Sequence, residues 1–295
     1  MKYLIYGHNG WIGSQVIKLL EQTSDIEILR GNRAENPEEV EQDIIKYAPD
    51  RILAFIGRTH GKIGNKNFPT IDYLEQPGKL VENARDNLFS PMVLAILASK
   101  YKIHFTYFST GCIFTYDNSH PYGQEVNGFT EDSKPNYFDS SYSVVKGFTD
   151  QLMHLYESYV LNVRIRMPIT GEQHPRNFIT KITKYEKICS VPNSMTVLDD
   201  LLPILLDMIK SGLTGTINLT NPGLITHNEI LEMYKEIVDP RFKWVNFSVE
   251  EQSKILAAGR SNNYLDTSKL EQLYPQVLHI RDAVRLCLEK MAHVK

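Results

Sequence analysis

The stretch Lys2-Tyr3-Leu4-Ile5-Tyr6-Gly7-His8-Asn9-Gly10-Trp11-Ile12-Gly13 decides how the rest of the chain is read. A short apolar run meets three glycines spaced GxxGxxG, and Trp11–Gln22 then carries apolar residues at helical spacing. The pattern predicts a strand that turns sharply into a helix. In such a turn the first glycine permits the bend and the second lets backbone approach a ligand. The third allows close packing of helix on strand, while the free N–H groups of the helix start favour phosphate. Gly7, Asn9, Gly10, Trp11, Ile12 and Gly13 are therefore candidate contacts for a dinucleotide.

Working outwards, further strand-like runs fall at Ile26–Arg30, Arg51–Phe55, Ile103–Phe108 and Leu161–Arg166. Helix-like segments lie between them at Pro37–Tyr47, Gly78–Lys100 and Tyr142–Tyr159. The alternation predicts an α/β fold, a doubly wound parallel (Rossmann) sheet with ligands at the carboxyl ends of its strands. After about residue 167 prolines punctuate shorter elements. Residues 1–166 are expected to form the dinucleotide domain, and residues 167–295 mainly a smaller C-terminal substrate lobe, with some segments returning to the sheet. Two long polar loops, Gly57–Pro77 and Thr115–Ser141, are candidate lids.

Composition narrows the function classes. With 42% hydrophobic and 23% charged residues over 295 positions, the chain has the profile of a globular protein with a large core. A formal net charge of −3 gives no reason to expect nucleic acid or an anionic membrane as partner. No apolar run approaches the roughly 18 residues of a membrane span. Met1 leads straight into the first strand, which leaves no room for a secretion signal. Cys112, Cys189 and Cys287 are few and widely spaced, against both a disulfide framework and a metal site. A cytoplasmic protein is expected.

Where the second strand should end, Leu29-Arg30-Gly31-Asn32-Arg33 offers two arginines and no acid. Arg30 and Arg33 suit a 2′-phosphate, which favours NADPH over NADH. Tyr142 and Lys146 stand four residues apart on one helix face. The lysine and an oxidised nicotinamide can lower the phenol's pKa and make it a useful acid. Thr110 follows the strand Ile103–Phe108, so its hydroxyl is expected at the mouth of the sheet. Thr110, Tyr142 and Lys146 together resemble the catalytic trio of extended short-chain dehydrogenases/reductases.

Longer segments carry a narrower resemblance: Thr110-Gly111-Cys112-Ile113-Phe114, Arg166-Met167-Pro168-Ile169, the block Pro175–Lys187, Val191–Thr196, Thr220–Gly223, His227–Leu231 and Arg260-Ser261-Asn262-Asn263. Across nearly the whole chain these are similar to the bifunctional nucleotide-sugar 3,5-epimerase/4-reductases, including the C-terminal half of plant rhamnose synthase. The resemblance implies conversion of UDP-4-keto-6-deoxy-D-glucose to UDP-L-rhamnose with NADPH. It assigns Cys112 and Lys181 to epimerisation. Cys112 lies two residues beyond Thr110, so an extended backbone would point both side chains one way. Arg260 and Arg176 are candidate partners of the UDP diphosphate, and Asn177 and Met195 candidate nucleotide contacts. Asn87 resembles the asparagine that shapes the active site in this superfamily.

Without the resemblance, Cys112 reads as a small buried residue at a strand end and Lys181 as a solvated helix lysine. The alternatives are a monofunctional 4-keto-reductase acting on a dTDP or UDP sugar, and a non-catalytic dinucleotide-binding regulatory subunit. The keto-sugar implies an upstream 4,6-dehydratase as a separate protein, and the superfamily implies a homodimer. The Gly57–Pro77 loop departs from the plant pattern; Arg58 or His60 there is a candidate contact.

Overall fold

The computed structural model describes residues 1–293. β1 (Lys2–Tyr6) enters α1 (Trp11–Leu20) through the glycine turn, and β2 (Glu27–Arg30), α2 (Pro37–Tyr47) and β3 (Arg51–Ala54) follow. An antiparallel hairpin of β4 (Gly61–Ile63) and β5 (Lys66–Phe68) precedes α3 (Leu80–Ala84), α4 (Ser90–Tyr101) and β6 (His104–Thr110). α5 (Ser141–His154) and β7 (Val160–Ile165) complete the alternation. The remainder holds α6 (Phe178–Ile182), α7 (Leu198–Ser211), β8 (Gly215–Asn218), α8 (His227–Ile237), α9 (Val249–Ser253), α10 (Ser268–Leu273) and α11 (Ile280–His293).

Six parallel strands pair in the order β2-β1-β3-β6-β7-β8. The chain moves from β1 to β2 on one side, then crosses to β3 on the other, so the order reverses beside β1. A crevice opens at the carboxyl ends of strands at such a point. Val16, Ile17 and Leu20 of α1 pack with Leu201, Leu205 and Met208 of α7 on one face of the sheet. Val40 and Ile44 of α2 and Leu94 and Ala98 of α4 cover the other. A separate apolar core joins Ile179 and Ile182 of α6, Ile230 and Leu231 of α8, and Val284 and Leu288 of α11. Thus α7 and β8 return to the sheet, while α6, α8 and α11 build the lobe beside it.

The single helix expected over Gly78–Lys100 is broken into α3, a π turn at Arg85–Phe89, and α4. Pro91 accounts for the break. It has no N–H for the carbonyl of Asn87 four residues back, and its ring would crowd that oxygen. The Thr149 hydroxyl donates to the Asn87 carbonyl instead, at 2.7 Å. The irregular turn is thereby tied to α5.

α5 itself is anchored at both ends. Ser140 caps it by accepting from the Ser143 N–H at 3.1 Å. Near its other end Asp150 accepts from Arg164 Nε at 2.8 Å and Nη2 at 2.7 Å, with both side chains wholly buried. Asn162 adds a third donor at 2.8 Å. A bidentate pair removed from water is costly to break, because the survivor is left charged and unpaired. Asp150→Asn is therefore expected to lower the unfolding free energy by about 3 kcal/mol. Urea denaturation measures it; an unchanged midpoint would show that the pair does not hold α5.

Candidate active site

A cavity of about 810 Å³ opens at the carboxyl ends of β1, β3 and β6 and runs between the sheet and the lobe. The glycine turn forms one end. Gly7 has a left-handed φ of 77°, and a Cβ there would lie 2.7 Å from the Phe55 carbonyl. A Cβ on Gly13 would overlap the Gly7 carbonyl oxygen, so Gly13 acts by close packing of helix on turn and does not reach the cavity. Gly7, Gly10, Trp11 and Ile12 line it. Asn9 does not: it is exposed on the outside of the turn. No acid stands in the first turn of α1, which leaves its N-terminus favourable to phosphate. These features fit the pyrophosphate of a dinucleotide.

The two arginines after β2 part company. Arg33 lines the cavity and pairs with Glu35 at 3.0 Å. Arg30 lies off the cavity and pairs with Glu21 at 3.5 Å, so the structure does not support it as a cofactor contact. Arg30 is the last residue of the strand, whereas Arg33 belongs to the following segment, whose residues Asn32 to Glu35 all line the cavity. Arg85, which the sequence reading passed over, also lines the cavity and shares Glu35 at 3.0 Å.

Thr110, Tyr142 and Lys146 line the middle of the cavity together, with Cys112 beside them. β6 ends at Thr110, and its Oγ1 accepts from the Cys112 N–H at 3.0 Å. The two side chains therefore share the cavity through a turn, not through the extended backbone expected. Ser143 Oγ donates to the Cys112 carbonyl at 2.7 Å and ties that turn to α5. Burial pushes the Tyr142 phenol well above its ordinary value and the neighbouring Cys112 adds to this; a hydrogen bond from Thr110 opposes both. The expected lowering by Lys146 is not what the structure contains. Burial instead brings the lysine itself down to about 7, against the pull of Asp150 and Cys112. Its Nζ donates to Tyr107 OH at 2.5 Å, a buried phenol on β6 that no sequence pattern announced.

A second buried network fixes this turn against the lobe. Arg166 is 1% exposed and makes no salt bridge among the described residues. It donates to Asn193 Oδ1 at 2.7 Å, to the Ser261 carbonyl at 3.0 Å and to the Gly111 carbonyl at 3.3 Å. Asn263 Nδ2 also reaches the Gly111 carbonyl, at 3.0 Å. The segment Arg260-Ser261-Asn262-Asn263 is thus bonded directly to the backbone between Thr110 and Cys112.

Lobe residues close the far wall. Lys181, Arg176 and Arg260 all line the cavity. Lys181 is held below the usual lysine value by burial, then by the Arg176 and Arg260 cations. His60, from the 57–77 loop, bonds Arg176 through Nε2; burial, Arg176, Arg58 and Lys181 in that order hold it down to about 4. Arg260 is clasped by Asp72 of the same loop, which also accepts from the Ala257 and Ala258 N–H groups at 2.9 Å. The 57–77 loop is thus part of the wall, through its hairpin and the turn after it. The other candidate lid, 115–141, contributes nothing to the cavity lining.

Two expected contacts, Asn177 and Met195, are corrected. Asn177 is buried off the cavity, capping α6 through the Ile179 N–H at 3.1 Å and donating to the Glu172 carbonyl at 2.7 Å. Met195 is wholly buried in the lobe core. Asn87 lines the cavity as expected, and its amide holds the wall: Oδ1 accepts from the Arg58 N–H at 3.0 Å, and Nδ2 donates to the Arg58 carbonyl and to Asn83 at 2.9 Å. It shapes the Gly57-Arg58 turn. No His, Cys, Asp and Glu cluster suited to a metal occurs among the described residues, and no helix there is long and apolar enough to cross a membrane.

Comparisons with known proteins bear on what this cavity accepts. No protein-family model matches the chain. The crystal structure of a UDP-rhamnose synthase from Acanthamoeba polyphaga mimivirus superposes with a TM-score of 0.94 at 53% identity, covering 99% of each chain. A bifunctional dTDP-4-dehydrorhamnose 3,5-epimerase/dTDP-4-dehydrorhamnose reductase of Arabidopsis thaliana is 41% identical over 283 residues, 96% of this chain and 90% of that protein. The chain belongs to the nucleotide-sugar 3,5-epimerase/4-reductase family. A trifunctional Arabidopsis thaliana protein, UDP-glucose 4,6-dehydratase/UDP-4-keto-6-deoxy-D-glucose 3,5-epimerase/UDP-4-keto-L-rhamnose-reductase, is 42% identical over 285 residues, 96% of this chain and 41% of that protein.

For this epimerase/reductase the separation of Arg30 from Arg33 gives a direct test. Arg33→Ala is expected to weaken NADPH binding by about tenfold or more, the worth of one charge-assisted hydrogen bond, and to leave NADH binding unchanged. Arg30→Ala should alter neither. Fluorescence titration of the reduced cofactors measures both; equal losses from the two variants would contradict the assignment.

Proposed function

We propose that the protein is a bifunctional 3,5-epimerase and NADPH-dependent 4-keto-reductase that converts UDP-4-keto-6-deoxy-D-glucose to UDP-L-rhamnose. The observation that carries this is the meeting of Cys112 and Lys181 with Thr110, Tyr142 and Lys146 on the walls of one cavity. A reductase alone has no need of the first pair beside the second group.

The chemistry follows from the ketone. Protons on C3 and C5 are acidic because each carbon is α to the C4 carbonyl. Lys181, with its pKa lowered by burial and by neighbouring cations, is the group that exchanges a proton on one face. Cys112, on the turn beside Thr110, serves the other. Removing a proton leaves an enolate with its charge on O4, and returning it from the opposite face inverts the centre. Thr110 and Tyr142 donate to O4. Tyr142 is protonated at neutral pH because burial raises its pKa, which is the form an oxyanion requires. Bound NADPH supplies the hydride for C4. Tyr142 then gives its proton to O4, and Lys146 stands four residues along α5 with Tyr107 fixing its Nζ.

Arg176, Arg260 and Arg58 surround Lys181 and His60 with positive charge that suits a diphosphate. The lobe built on α6, α8 and α11 is the substrate lobe. A 4,6-dehydratase acting as a separate protein supplies the ketone, in keeping with the bifunctional plant relative, whose name includes no dehydratase. Phe89 of the π turn with Ile96 of α4, and Phe148 of α5 with Leu155 just past its end, form two exposed apolar pairs at seven-residue spacing on adjacent helices. They support a homodimer through these helices. The three unpaired cysteines support a cytoplasmic setting.

Incubation with the keto-sugar in deuterated water, without cofactor, is expected to place deuterium at C3 and C5. Cys112→Ala should reduce that exchange by about a hundredfold or more while an epimerised ketone is still reduced. Tyr142→Phe should mainly remove reduction. Deuterium at neither carbon, with reduction only of the epimerised ketone, would establish the monofunctional reductase instead.

A further inference from the structure

Lys146 is enclosed between α5, β6 and the Gly57-Arg58 turn. The side chain is buried, and its Nζ donates to Tyr107 OH of β6 at 2.5 Å while lying 4.8 Å from the centre of the same ring. The turn approaches the same nitrogen. Gly57 has a left-handed φ of 154°, and a Cβ there would lie 3.8 Å from Lys146 Nζ and 3.0 Å from Asn87 Oδ1. A side chain at position 57 would therefore crowd the amine.

No carboxylate is bonded to this amine. Among the described residues Tyr107 OH is its one hydrogen-bond partner. Asp150, one turn further along α5, is committed to Arg164 through both oxygens and to Asn162 through one. Burial brings Lys146 down to about 7, against the pull of Asp150 and then Cys112. Tyr107 is itself wholly buried, and burial, then Tyr142 and Asp150, hold its phenol well above the ordinary value. At neutral pH it is therefore an uncharged acceptor.

On the bifunctional reading above, we propose that Tyr107 is a positioning residue for reduction alone, its hydroxyl holding the Lys146 ammonium in place without cancelling the positive charge. An ammonium has three N–H donors. One points at Tyr107, and the tetrahedral nitrogen then restricts the directions of the other two. When Tyr142 gives its proton to O4 a phenolate remains, and the ammonium one turn along α5 stabilises it. A carboxylate in place of the Tyr107 hydroxyl would hold the lysine but compete with that phenolate for its charge. An apolar side chain there would leave an N–H unmet in a buried site. Exchange at C3 and C5 makes a different demand. Its protons move through Cys112 and Lys181 while Tyr142 keeps its own, so no phenolate forms for Lys146 to stabilise.

Tyr107→Phe keeps the ring and removes the acceptor. Steady-state reduction of the epimerised ketone and cofactor-free deuterium exchange of the keto-sugar test it, with NADPH binding as the control for folding. Reduction is expected to lose about tenfold or more in kcat, with KM for NADPH within about twofold of wild type, while exchange keeps its wild-type rate. The lost hydrogen bond favoured the ammonium, so Lys146 gives up its charge at lower pH in the variant. The alkaline limb of the reduction profile should therefore move down by about one pH unit. An equal fall in both activities would make Tyr107 a structural residue and overturn the proposal, as would unchanged reduction with an unmoved limb. Wild-type protein that reduces without exchanging would remove the bifunctional reading, and the kcat and alkaline limb of Tyr107→Phe would still decide the role of Tyr107.

Discussion

Arg166 is a cation enclosed by neutral acceptors, and the geometry of the cavity depends on that enclosure. Its guanidinium meets the Gly111 backbone, Asn193 and Ser261 from three separate parts of the chain. A guanidinium stays charged even when burial lowers its pKa, so oxygens must meet it, and here they meet Nη1 and Nη2. Those oxygens come from the end of β6, the 191–196 segment and the 260–263 segment, which are brought together around it. That convergence sets Thr110 and Cys112 on the sheet side of the cavity and Arg260 on the lobe side. The Asp150–Arg164 pair does similar work one layer deeper by holding α5, and with it Tyr142 and Lys146, against β7.

Electrostatics then divide the cavity by function. The glycine turn and Arg33 offer positive charge and free N–H groups at one end. Arg176, and Arg260 with its partner Asp72, bring cations to the other, around Lys181. Between them lies a buried group of hydroxyls and a lysine whose charge is costly to keep. Two anionic chains, cofactor and nucleotide sugar, can thus be held from opposite ends with the ketone in the middle. Burial is the leading cause of the shifts of Lys146 and Lys181, so the same exclusion of water that sharpens hydrogen bonding at O4 also brings both amines closer to neutrality.

What was legible in the sequence was local. Gly7, Gly10 and Gly13 announce a turn because the bend, the close approach and the packing all act within seven residues. Tyr142 and Lys146 share a helix face at any fold. The π turn was also local in origin, since Pro91 cannot satisfy the carbonyl of Asn87, but apolar periodicity obscured it. Side-chain direction was harder. Asn177 and Met195 lie in segments that resemble the family, yet their backbone settings turn them inward, and it is Phe178, next to Asn177, that faces the cavity. Arg30 and Arg33 differ by three positions, one ending the strand and the other in the segment that lines the cavity. Contacts such as His60 with Arg176, 116 residues apart, carry no sequence signal, because they exist only once the lobe has docked.

The central claim is that one oxyanion site at O4 serves both inversion and reduction. Thr110→Val tests it most directly, since the variant keeps the shape of the side chain and removes only its hydroxyl. Rates of C3 and C5 deuterium exchange and of NADPH-dependent reduction of the epimerised ketone should be measured on the same preparation. Both should fall together by about a hundredfold, the usual worth of one oxyanion donor. A variant that loses one activity and keeps the other at the wild-type rate would show that the two reactions do not share this hydroxyl.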